Sequence, residues 1–207
     1  MITTKPVSDY IDLLRSAPDR VLAEMETHAR RDQIPIVVPA TGQLLQVLAM
    51  AAGARRALEV GTAIGVSTLY IARGVGDGGQ VVSFEIDPER HAAAQDYLEA
   101  AGVGDRVQLH LQDARAGLAA LQGSFDFAFL DGVKAQYGDY FEAVLPLLGD
   151  GALLVVDNVL MGGRVAEDDG GERISVARAF NERLLTHPEL TGTLTPVGDG
   201  VLLAVKR

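Results

Sequence analysis

The chain of 207 residues contains no cysteine, which removes thiol nucleophiles, disulfides and cysteine-ligated zinc or iron–sulfur centres in one stroke. Positive charge is also scarce: 18 Lys and Arg stand against 28 Asp and Glu, for a net charge of −10. That balance counts against nucleic acid as a partner, because phosphate backbones are held by basic surfaces. No stretch reaches the ~18 uncharged apolar residues of a membrane span. The first ten residues lack the basic end and apolar core of a secretory signal, so the expectation is no membrane and a cytoplasmic location. His28, His91, His110 and His187 are scattered without metal-ligand spacing, and no serine sits in a Gly-x-Ser-x-Gly elbow.

What is present is alternation. From about Arg55, apolar runs near 56–60, 80–85, 106–111, 125–130 and 151–157 are separated by helix-like segments. That pattern predicts right-handed βαβ crossovers and a mostly parallel sheet with helices on both faces, an α/β architecture whose ligand crevice lies at the strand ends. Before it, Val7 to about Arg31 and Thr41 to Gly53 read as helices around the extended Ile34–Pro39. Residues 1–53 are therefore expected as a helical cap on a single domain spanning 1–207. After a helix near Glu172–Thr186, runs at 190–197 and 201–205 flank Gly198-Asp-Gly200, which predicts an antiparallel hairpin ending the sheet.

Polar residues gather where those strands end. Asp131-Gly-Val-Lys134 follows Phe125–Leu130, and Asp157-Asn158 follows Ala152–Val156. On one rim, two carboxylates, an amide and an amine make a set of hard oxygen ligands for a divalent cation beside a candidate base. Asp131 also suits a helix cap, and Asp157-Asn158 a turn.

The first strand runs into Glu59-Val-Gly61-Thr62-Ala-Ile-Gly65-Val-Ser67. Its glycines permit close approach to a ligand, and the following helix N-terminus offers N–H groups to a carboxylate or phosphate. The same spacing also fits a plain strand-to-helix turn. Glu85 ends the second strand where a carboxylate can accept ribose hydroxyls. Asp113 and Ala114 end the third, placed for an adenine amino group and its ring, although Asp113 equally suits an N-cap.

Together these segments resemble the cation-dependent O-methyltransferases of caffeoyl-CoA and catechol O-methyltransferase type. The resemblance runs from about Ile34 onward through Gly42-Gln-Leu-Leu45, Leu58-Glu-Val-Gly61-Thr, Gly65-Val-Ser67, Phe125–Lys134, Asp157-Asn158-Val-Leu and Pro196-Val-Gly-Asp-Gly200. It implies a Rossmann-like class I methyltransferase fold with a seven-stranded sheet, S-adenosylmethionine as methyl donor, and a divalent cation, magnesium first and calcium or manganese as alternatives. By the same resemblance Asp131, Asp157 and Asn158 match the metal ligands and Lys134, with Asp131, the catalytic pair. Val37, Glu59, Gly61, Thr62, Ser67, Glu85, Asp113, Ala114 and Asp131 fall at cofactor-binding positions. Val133 stands where plant members often carry an acid and Met161 where tryptophan is common, which departs from a phenylpropanoid pocket.

A phenolic hydroxyl, with a pKa near ~10, is a poor nucleophile until a cation polarises it. Lys134 can then take its proton or stabilise the oxyanion, and methyl transfer becomes chiefly a matter of alignment. The expected partner is a small catechol-like or hydroxylated aromatic acceptor, with the chain as a homodimer. A tRNA hydroxyuridine O-methyltransferase and a nicotinamide-dependent oxidoreductase are the alternatives. The glycine-rich 161–171 segment is expected to cover the acceptor, with Met161 and Arg164 shaping its pocket.

Overall fold

A computed structural model describes residues 5–167 and 171–207. Its centre is one seven-stranded sheet in the order β3-β2-β1-β4-β5-β7-β6. The strands are β1 (Arg56–Val60), β2 (Gln80–Glu85), β3 (Val107–Leu111), β4 (Phe125–Leu130), β5 (Leu148–Val156), β6 (Leu190–Thr195) and β7 (Val201–Lys206). The first five pair in parallel, while β7 runs antiparallel to both β5 and β6. Chain order reverses between β1 and β4, and such a switch point opens a crevice at the carboxyl ends of the strands.

The central strands are buried on both faces, as their unbroken apolar runs require. Phe127, Phe129 and Val155 contribute to one core, with α4 (Val66–Val75), α3 (Pro39–Ala51), α2 (Arg20–Asp32) and α5 (Pro88–Ala100). Leu58, Ala128, Leu130, Leu154 and Val156 contribute to the other, under α6 (Ala114–Ala120), α7 (Tyr137–Val144) and α8 (Gly171–Leu185). Alternate residues of a strand thus serve opposite helical layers.

One expectation is corrected. The helix expected over 7–31 is two helices, α1 (Lys5–Leu14) and α2. Pro18 disfavours helix at the residue before it, and the Asp19 side chain accepts the Leu22 N–H at 3.0 Å to cap a new start. The terminal antiparallel hairpin forms as expected, with β7 inserted between β5 and β6. The burial of Val201, Leu202 and Ala204, against the mostly exposed β6, reflects that order.

Among the described residues, no helix is long and apolar enough to cross a membrane.

Candidate functional site

The strand ends are bound to one another through the main chain. Gly61 and Thr62 donate to the Phe84 carbonyl at 3.2 Å, Asp131 donates to Val60 at 2.9 Å, and Asp157 donates to Leu130 at 3.1 Å. Gly61 adopts φ +97°, and a Cβ there would lie 2.5 Å from the Asp131 carbonyl oxygen. Only glycine lets the β1 turn pass this close to the Asp131 segment. Above this ledge is a cavity of ≈ 470 Å³.

Of the residues singled out from sequence, Val37, Gly61, Thr62, Ser67, Glu85, Asp113, Ala114, Asp131, Lys134, Asp157 and Asn158 all line that cavity. Glu59 does not. It is fully buried beneath the loop, where one carboxylate oxygen accepts from the Thr68 hydroxyl and from Ser83 Oγ at 2.6 Å. Its other oxygen, Oε1, has no hydrogen-bond partner. Burial pushes the Glu59 carboxyl up to about 7, against the pull of the nearby Ser67, Ser83 and Thr68 hydroxyls. Thr62 joins the same chain, its hydroxyl 2.6 Å from Ser83 Oγ.

At one end of the cavity, Glu85 accepts the Ala63 N–H at 2.7 Å, Ile86 at 2.8 Å and Asp87 at 2.9 Å. Three main-chain donors orient this carboxylate while leaving it on the cavity wall. Asp113 is the N-cap of α6, accepting the Arg115 N–H at 2.8 Å and pairing with the Arg115 guanidinium at 2.8 Å. Its carboxyl is held low, first by that guanidinium and then by the N–H. Capping and cavity lining thus coexist in one residue.

At the other end stand the acids of β4 and β5. Lys134 Nζ lies 2.7 Å from Asp131 Oδ1. Burial raises the Asp131 carboxyl, and the ammonium of Lys134 opposes the rise. Asp157 is 3% exposed, and its Oδ1 has no hydrogen-bond partner. Burial and, next, the Asp131 charge push it up to about 7. Asn158 follows in the left-handed region at φ +57°.

The turn carrying Asn158 is tied down by elements distant in sequence. The Tyr137 hydroxyl donates to the Asp157 main-chain oxygen at 3.1 Å, and Asn181 Nδ2 to the Val159 oxygen at 2.8 Å. Val159 N–H donates to Gly200 at 3.1 Å, Leu160 N–H to the Asp199 carbonyl at 3.0 Å, and Gly162 N–H to Asp199 Oδ1 at 2.5 Å. Sequence reasoning assigned no role to Asn181, Asp199 or Thr41. Asp199 and Thr41 line the cavity. The one available signal was the Gly198-Asp-Gly200 turn, whose glycines at φ +59° and +83° bring it against Thr41 and Leu160. Met161 and Arg164 are not on the cavity wall, and residues 168–170 of the expected covering segment lie outside the described residues.

A crevice at the switch point, floored by a glycine turn and flanked by acids at successive strand ends, defines the class as Rossmann-like class I methyltransferase. The chain belongs to the O-methyltransferase family, whose model matches residues 15–207. It is 36% identical to a catechol O-methyltransferase of Niastella koreensis, with 96% of each chain covered. It is also 36% identical to a catechol O-methyltransferase of Mycobacterium tuberculosis, over 97% of this chain and 95% of the relative. Among solved structures, an O-methyltransferase from Bacillus cereus in complex with SAH superposes at a TM-score of 0.90, with 31% identity over 100% of both chains. The O-methyltransferase TomG from Streptomyces achromogenes, in complex with SAM, gives 0.88 with 32% identity, over 97% of this chain and 96% of that one.

Glu59 gives this site a pH signature. A buried acid with a raised pKa prefers its protonated form in the folded state, so folding stability falls as pH rises from 4.5 to above about 7. Full ionisation costs roughly 3 kcal/mol. Urea unfolding between pH 4.5 and 8, without methyl donor, is expected to show this decline in the wild type and a shallower one in Glu59→Gln, the remainder coming from the raised carboxyls of Asp157 and Asp131.

Proposed function

We propose that this O-methyltransferase moves a methyl group from S-adenosylmethionine to a hydroxyl of a small catechol-like or otherwise hydroxylated aromatic, with a divalent cation held by Asp131, Asp157 and Asn158. The observation that carries this reading is the buried Asp157 Oδ1 without a hydrogen-bond partner, beside a second raised carboxyl at Asp131. Two crowded carboxylates favour a cation between them. Among the described residues no three His, Cys, Asp or Glu side chains form a metal-holding group; Asn158, on the same cavity wall, would add its amide oxygen to the two carboxylates. Three hard oxygens of this kind fit magnesium, calcium or manganese, and a bound ion of that class polarises a coordinated hydroxyl.

The chain's own residues do the rest. Lys134 Nζ is held at the same end of the cavity by Asp131; as the free amine it would take the hydroxyl proton, and as the ammonium it would stabilise the oxyanion. Gly61, Thr62 and Ser67 bring the β1 turn and the α4 N-terminus to the cavity, where the charged methionine end of the methyl donor is received. Glu85 is oriented for the ribose hydroxyls, and Ala114 leaves room for the adenine beside Asp113. Because Gly61 packs on the main chain of Asp131, the donor floor and the acceptor acids share one ledge. Alignment of oxygen, methyl carbon and sulfur then comes from positions already fixed in the fold. Pro35–Val38 close the cavity from the N-terminal side, which supports reading 1–53 as a cap on a single catalytic domain. The relatives named catechol O-methyltransferase support the acceptor class.

We further infer a homodimer. Tyr10, Leu13 and Leu14 of α1 and Val47 and Met50 of α3 expose apolar surface that favours burial. Light scattering is expected to return about twice the chain mass, and a monomeric mass at micromolar concentration refutes the dimer.

Asp157→Ala is expected to abolish cation-stimulated methylation of catechol while changing S-adenosylmethionine affinity less than about threefold, as read by turnover and calorimetry. Full activity in chelator-treated wild type refutes the cation's role. Glu85→Ala is expected to weaken S-adenosylmethionine at least tenfold, about 1.4 kcal/mol, and an unaltered dissociation constant removes the ribose assignment.

A further inference from the structure

Tyr137 is the first residue of α7 and is 6% exposed, yet its polar contacts all belong to the two acidic strand ends and the lysine between them. Its hydroxyl donates to the Asp157 main-chain oxygen at 3.1 Å. The hydroxyl also opposes, as the smallest of the influences on it, the rise that burial imposes on the Asp131 carboxyl. The Lys134 ammonium lies 5.4 Å from the ring centroid, within the range of a cation–π contact. Behind it, the ring is fixed by Phe180 at 5.6 Å and Tyr140 at 6.4 Å between centroids.

A tyrosine that merely filled this volume would need no hydroxyl here, and phenylalanine would pack as well. The hydroxyl has a specific partner: a carbonyl at the end of β5, immediately before a non-glycine residue in left-handed conformation. Such a turn persists only when its surroundings over-determine it, and the Tyr137 bond is one of the restraints on it. The ring face meets a different need. Lysine carries its charge on a flexible four-carbon stem, and the Lys134 side chain is 28% exposed. With Asp131 on one side and the ring on another, the ammonium has two fixed neighbours instead of one.

We propose that Tyr137 is a positioning residue, which sets the Lys134 ammonium and the Asp157–Asn158 turn at a fixed separation through its ring and its hydroxyl respectively. The inference rests on the proposed roles of Lys134 as proton acceptor and of Asp131, Asp157 and Asn158 as cation ligands. The hydroxyl acts on where the turn presents Asp157 and Asn158, and the ring acts on where the lysine waits. Neither touches the methyl-donor end of the cavity, so the two halves of the site respond differently to substitution.

Tyr137→Phe and Tyr137→Leu separate the two contributions. The measurements are Mn²⁺ affinity by electron paramagnetic resonance in the presence of SAH, SAH affinity by calorimetry, kcat and KM with catechol, and melting temperature. Tyr137→Phe is expected to weaken Mn²⁺ binding about tenfold, the lower end of the effect of losing a residue that orients metal ligands, with SAH affinity within twofold. Tyr137→Leu is expected to lower kcat several-fold further with no additional loss of Mn²⁺ affinity, because the ring serves the lysine. If Tyr137→Phe changes only the melting temperature, with Mn²⁺ affinity and kcat at wild-type values, Tyr137 is a core filler and the inference falls. If wild-type protein binds SAH but neither binds Mn²⁺ nor responds to it, the cation reading itself fails and takes this inference with it.

Discussion

The site depends on one close main-chain contact, the passage of Gly61 over the carbonyl of Asp131. A parallel sheet delivers strand ends to a common edge but does not set their heights. Here the hydrogen bonds from Gly61 to Phe84, Asp131 to Val60 and Asp157 to Leu130 carry the ladder past the last strand residues. The Gly61 turn and the acids Asp131 and Asp157 are consequently parts of one hydrogen-bonded strip. A methyl transfer needs its two partners held in line, and a continuous strip of backbone fixes the spacing between those strand ends without a dedicated hinge.

Around that strip, the site collects acids where the fold least favours them. Asp131, Asp157 and Glu59 are buried acids whose carboxyls are all raised by desolvation, and two carboxylate oxygens, Glu59 Oε1 and Asp157 Oδ1, have no hydrogen-bond partner. Such groups subtract from stability, and their gathering, two on the cavity wall and Glu59 beneath the loop, matches the concentration of perturbed acids at functional sites. Glu85 and Asp113 are the counterexamples within the same cavity. Main-chain N–H groups orient both, so they are fixed in place at little cost.

Most of the architecture was legible in the chain because buried parallel strands write themselves as unbroken apolar runs. Phe125–Leu130 and Ala152–Val156 could be placed, with their terminal acids, from that signal alone, and the glycine spacing located the turn between β1 and α4. The N-terminal helix was misread as one because its apolar spacing runs through the break, and Pro18 followed by Asp19 carried the correction. The place of β7 inside the sheet was not legible, since hairpin turn chemistry fixes the pairing of two strands but not which of them meets the rest. Glu59 entered as a cofactor position through the family resemblance; the fold buries it beneath the Gly61 turn, a depth that no local pattern records. Asn181 and Asp199 were invisible for a different reason. Each acts on the main chain of residues at least twenty positions away, and no local pattern records such a contact.

The insertion of β7 between β5 and β6 also brings the C-terminal strand against the acidic end of β5. The turn after Asn158 donates hydrogen bonds to Asp199 and Gly200, at the threshold of the final strand. The same strand pairs with β5 over Leu153–Val156, so the last residues of the chain and the end of β5 are held as one unit. A substitution near the C-terminus can therefore move the acidic rim through the main chain alone, without touching any side chain of the cavity.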